Sequence, residues 1–106
     1  MPRYLWQVRY TSEGASGLLA QGGSARRAAI TAMVESVGGR VESCHYAFGP
    51  HDLIVIGEVP DEVAAAALSI RTAASGAAVS KTVTLLTPEQ IDAATKINVT
   101  YTPPQN

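Results

Sequence analysis

Four side chains that can ligate a metal or move a proton fall within nine residues of one another: Cys44, His45, His51 and Asp52. A metal ion would need three or four of them to converge. Cys44 and His45 are neighbours in a strand-like stretch and so point to opposite faces, which leaves no metal site expected. Either histidine could serve as a general acid or base near neutral pH. Arg26 is a candidate of another kind, because its position falls inside the apolar stripe of a predicted helix. It has two readings. One is a snorkelling side chain whose stem covers the core while the guanidinium reaches solvent or a carboxylate such as Asp52. The other is a fixed cation near a helix start, where anions are already favoured. Trp6, Tyr10, Tyr46 and Phe48 could stack an aromatic ligand or simply fill a core.

Three other motifs carry less. Gly14-Ala15-Ser16-Gly17 lacks the Lys-Ser/Thr of a nucleotide loop and the glycine spacing of a dinucleotide turn. Pro2 could act as a base only if Met1 were removed, since otherwise its nitrogen is an amide. Asn98-Val99-Thr100 has the letters of a glycosylation sequon without a secretory context. No cofactor is implied by any of these.

The elements that would position these residues must come from one small domain, for the chain has 106 residues. Eight Lys and Arg against nine Asp and Glu leave a net charge of −1, without the basic excess of a nucleic-acid binder. No apolar run approaches the roughly 18 residues that span a bilayer. One cysteine permits no internal disulfide. A soluble, cytoplasmic globular domain is expected.

Tyr4 to Tyr10 alternates as a strand, with Tyr4, Trp6, Val8 and Tyr10 on one face and Leu5, Gln7 and Arg9 on the other. Thr11 to Gly23, interrupted by glycines, reads as a long connection pinned by Leu18-Leu19, with at most one helical turn. Ser24 is placed to cap a helix over Ala25 to Val37, stopped by Gly38-Gly39. Its stripe is Ala29, Ile30, Met33, Val34 and Val37. Arg40 to Phe48 and Asp52 to Val59 read as strands joined by the Gly49-Pro50 turn into a hairpin. Pro60-Asp61 opens a helix that Gly76 closes, with Val63, Ala67, Ile70 and Ala74 as its apolar face. Ala77 to Leu86 is a fourth strand. Thr87-Pro88-Glu89-Gln90 predicts a capping box and a short helix reaching about Ile97. The last residues, 98 to 106, should be extended or disordered.

The order β-α-β-β-α-β plus a C-terminal helix is that of an α+β, ferredoxin-like antiparallel sheet covered on one face by helices. Apolar residues also occupy the other face, too many to stay in water. A second sheet would cover them, so the expectation is a homodimer, or higher oligomer, pairing as a dimeric α+β barrel. Gln7, Ser80, Thr82 and Thr84 would line its interior.

The chain also carries a series of landmarks in order: Tyr10-Thr11 with Glu13-Gly14, Arg26, Gly38-Gly39-Arg40, Phe48-Gly49-Pro50-His51-Asp52-Leu53-Ile54-Val55, Ala73-Ala74-Ser75-Gly76 and Thr84-Leu85-Leu86-Thr87-Pro88-Glu89. Over about residues 3 to 97 this resembles the GYD domain family, small prokaryotic proteins without an established activity. The family's Gly-x-Tyr-Asp stands here as Gly49-Pro50-His51-Asp52, with His51 in the tyrosine's place. The resemblance implies a protein of the dimeric α+β barrel type, a group that includes cofactor-independent oxygenases and isomerases.

Three functions remain open. The favoured one is a binding module for a small anionic or aromatic molecule, with Arg26, Tyr46, Phe48, His51 and Asp52 nearest the mouth of the site. The others are a cofactor-independent enzyme using His45 or His51, and a purely structural or regulatory oligomer. Two histidines and one Asp–His neighbourhood do not make a catalytic constellation, which weighs against the enzyme.

Overall fold

The computed structural model describes residues 1–105, so Asn106 of the expected tail lies outside the described residues. The elements are β1 (Arg3–Tyr10), α1 (Ser12–Gln21), α2 (Gly23–Ser36), β2 (Arg40–Tyr46), β3 (Leu53–Glu58), α3 (Glu62–Ser75), β4 (Ala78–Leu85) and α4 (Pro88–Thr95). The four strands form one antiparallel sheet in the order β2-β3-β1-β4, the α+β arrangement expected from the element order.

Alternation along the strands decides which residues meet the helices. Tyr4, Trp6, Val8 and Tyr10 of β1 face them, alongside Leu53 and Val55 of β3. These pack with Ile30 and Val34 of α2 and with Ala65 and Leu68 of α3. Leu53 and Val59 are the most completely buried side chains. Full burial of a side chain of this size is worth about 1.5–3 kcal/mol.

Several expectations need correction. The connection after β1 is a ten-residue helix, α1, rather than one turn in a loop. Thr11 caps it by accepting the Gly14 N–H. Thr11 is itself anchored, donating its backbone N–H to the Ala77 carbonyl and its hydroxyl toward Gly76 and Ala77. Gly14 is the residue that lets the helix come this close, because a Cβ there would overlap the Ala77 carbonyl. Gly14 is therefore a contact point, not a sign of a loop. Ser24 does not cap α2; Gly22, at a φ of 85°, separates the two helices.

The apolar face of α3 was also misplaced. Ala65 and Leu68 turn to the sheet, while Val63 and Ile70 are 77% and 68% exposed. Small alanines let α3 approach β4 on a side that a hydropathy pattern ranks second. Ser80, Thr82 and Thr84 do not belong to a barrel interior either. They lie opposite Val8, Trp6 and Tyr4, on the helix-covered face, where the Thr82 and Ser69 hydroxyls meet at 2.9 Å. Only Gln7 of that group is on the free face, paired with Lys81.

That free face has Leu5, Ile54, Ile56 and Val83 at its middle. Arg3 bridges Glu42 and Glu58 at 3.0 and 3.5 Å near one end, and Arg40 reaches Glu58 at 3.3 Å. Beyond it the chain closes α4 with the expected capping box between Thr87 and Gln90. From Leu86 to Gln105 no residue is buried, and residues 98–105 form neither helix nor strand.

Candidate functional site

The two long helices do not share the sheet evenly. α2 lies over β2 and α3 over β4, so the middle strands are covered from two sides with a cleft between. The cavity there measures about 240 Å³. Its floor is Trp6, Val8 and Tyr10 of β1 with Leu53 and Val55 of β3. The α2 wall is Arg26, Ile30, Met33 and Val34, and the α3 wall is Leu68, Ser69, Arg71, Thr72 and Ser75. The anomaly in the α2 pattern is thereby explained: Arg26 shares the stripe with Ile30 and Val34 because all three line one cleft.

Electrostatically the cleft is one-sided. Arg26 and Arg71 line it and no carboxylate does. Among the described residues neither arginine is in an ion pair. The floor adds two buried polar atoms without a hydrogen-bond partner in the protein, Trp6 Nε1 and Tyr10 Oη. A buried donor left unpaired costs about 1–3 kcal/mol, and the Tyr10 hydroxyl neighbours that of Tyr46.

Tyr46 completes this end. Its hydroxyl donates to the Gly23 carbonyl at 3.1 Å, and its ring lies against Gly23 at the start of α2. Partial burial pushes the Tyr46 phenol up, the neighbouring Tyr10 and Cys44 push it the same way, and Arg26 opposes them. Arg26, Tyr46 and Tyr10 therefore form one cluster. Burial likewise pushes the Cys44 thiol up, with Arg27 opposing.

The other sequence-derived residues fare differently. Phe48 is fully exposed and Asp52 and His51 are half-buried on the hairpin connection. None of the three lines the cleft. The expected Arg26–Asp52 ion pair is absent among the described residues. Pairing of β1 with β3 stops at Val8 and Leu53, so the next inward N–H of β1, that of Tyr10, has no strand partner. Asp52 accepts it at 2.9 Å. Asp52 thus positions Tyr10, a floor residue, instead of holding the helix. His45 lies opposite Ile54 on the free face, away from Cys44, which lies opposite Val55 under the helices. No group of three His, Cys, Asp or Glu gathers among the described residues.

Arg71 went unnoticed in the sequence because α3 was assigned the wrong inner face. The available signal was the run Ser69, Thr72 and Ser75, a row of small hydroxyls one to two turns beyond Leu68 on the same side.

A family model described as the GYD domain matches residues 4–95, from the start of β1 to the end of α4. Searches of curated proteins and of solved structures return no match. No described helix is long and apolar enough to cross a membrane.

Proposed function

The chain belongs to the GYD domain family, and from that premise we propose that it is a small-molecule-binding protein that works as a homo-oligomer. The observation that carries the reading is the cleft of about 240 Å³ with apolar walls and a few polar groups. Binding sites for small molecules have this composition, an apolar lining that supplies affinity and sparse polar groups that orient. The site lies between sheet and helices of one protomer, not between two sheets. Arg26 lines it, Tyr46 stands at its α2 end, and Asp52 acts on it through Tyr10. Phe48 and His51 lie outside its lining. The histidines' distance from the cleft lining gives acid–base catalysis no support, so binding is favoured over turnover.

Self-association rests on different surfaces. The free sheet face, the unburied α4 with Ile91, and the segment after it with Ile97, Val99 and Tyr101 offer apolar area that a second copy would cover. Cys44, the single thiol, suits a reducing compartment such as the cytoplasm.

A thermal-shift screen of small organic molecules tests the site. Hits should stabilise the protein, by about 2.7 kcal/mol at a hundredfold excess over Kd. Met33→Trp, which fills the cleft from α2, should abolish the shift. Hits that shift Met33→Trp as far as the parent protein would overturn the assignment.

A further inference from the structure

We propose that the cleft takes a compact aromatic carboxylate, its anionic group held by Arg26 and Arg71 and its ring laid on Trp6 and Tyr10. The inference rests on the small-molecule reading of this cleft and names the chemical class of its ligand.

Charge is the first argument. The whole chain is nearly balanced, eight basic against nine acidic residues. Two of those basic side chains nevertheless line one apolar cleft, one from each wall, and no acid accompanies them. Arg26, half-buried among Ile30, Met33 and Val34, gains most from a partner that meets it, while Arg71 stands exposed on the α3 side. Neither arginine has a carboxylate partner among the described residues, and each presents a planar fork that matches a planar carboxylate.

Size and floor chemistry narrow the body of the ligand. A cleft of about 240 Å³ is near the small end of ligand pockets, which suits one or two fused rings. Trp6 and Tyr10 supply aromatic surface, with Leu53, Val55 and Ile30 around them. A phosphorylated sugar would set its hydroxyls against the apolar floor and α2 wall.

Isothermal titration with 2-naphthoate and its neutral isostere 2-naphthamide tests this. The naphthoate should bind roughly tenfold or more tightly than the amide, about 1.4 kcal/mol. Arg26→Gln and Arg71→Gln should each bring the naphthoate down toward the amide and leave the amide unchanged. Arg26→Lys, which keeps charge and loses the fork, should fall between. Equal binding of acid and amide, or arginine variants that leave the acid unaffected, would overturn the carboxylate assignment while the cleft stands. Binding of neither compound would overturn the cleft reading itself, since its volume and lining admit both.

Discussion

Leu53 and Ile54 are consecutive residues of β3 with nearly the same side chain, and they live in different molecules, so to speak. Leu53 is 1% exposed beneath the helices, while Ile54 lies half-buried on the uncovered face. The helix side is concave, because α2 and α3 stand over opposite edges of the sheet and leave its middle strands as a floor. The free side is flat, apolar at its centre and bordered by the Arg3, Glu42, Glu58 and Arg40 ion pairs. Exposed pairs of this kind add little stability but do set which surface can meet which. One alternating strand thus serves two purposes, a hollow that suits a small ligand and a plane that suits another copy.

That contrast breaks most visibly at Leu53. Leu53→Ala should cost about 2–5 kcal/mol in urea unfolding, as large-to-small changes in packed cores do. Ile54→Ala should cost clearly less under the same conditions. Equal losses would mean that the two faces are buried alike. Ile54→Asp sharpens the other half of the contrast. Light scattering at micromolar concentration should show the parent protein at twice the mass of one chain and this variant at the mass of one, with helix content kept. A parent protein that is already single-chain would remove the partner from the free face.

Asp52 comes next. Asp52→Ala leaves the half-buried Tyr10 N–H without its acceptor and should cost about 1–3 kcal/mol. It should also weaken cleft ligands, since Tyr10 forms part of the floor. A loss of stability with ligand affinity untouched would separate the turn from the site.

The smallest effect belongs to Tyr46. Tyr46→Phe removes one partly exposed hydrogen bond, a change of about 0.5–1.5 kcal/mol at most. Its pH signature is more telling. The folded phenol holds its proton above the ordinary value of 10.0, chiefly through partial burial. The unfolded chain therefore ionises first, so the stabilisation is complete below pH 10 and drains away as pH rises through the folded value. Cys44, raised above 9.0 by burial, acts with the same sign from a lower pH. Tyr46→Phe should flatten the upper part of the alkaline loss in unfolding midpoint. An unchanged profile would assign that loss elsewhere.

Much of this architecture was legible in the residues. Strand alternation placed Tyr4, Trp6, Val8 and Tyr10 together, and Thr87 to Gln90 announced α4 through a local hydrogen-bond pattern that needs no tertiary partner. Arg26 was legible as a misfit, a charge in an apolar stripe. What stayed hidden depended on contacts between distant segments. Nothing local at Gly14 tells that it must lie on the Ala77 carbonyl, so α1 read as a loop. On α3 the larger side chains Val63 and Ile70 outweighed Ala65, although the sheet had room for the alanine. Arg71 was lost with that face. The Arg26–Asp52 pairing failed because the carboxylate was claimed by a backbone N–H at the end of a strand pair, a demand set by register and not by residue type.

The position of β1 has a consequence in time. It lies between β3 and β4, and neither follows it directly in the chain. Its partner in β4 begins with Ala78 opposite Tyr10, so one edge of β1 stays open until the last strand of the sheet has emerged from synthesis. Pairings of such long sequence separation close slowly. An apolar strand with an open edge is meanwhile exposed to other chains. The first strand of the sheet is the last to be enclosed, and the floor of the cleft takes shape only when that enclosure is complete.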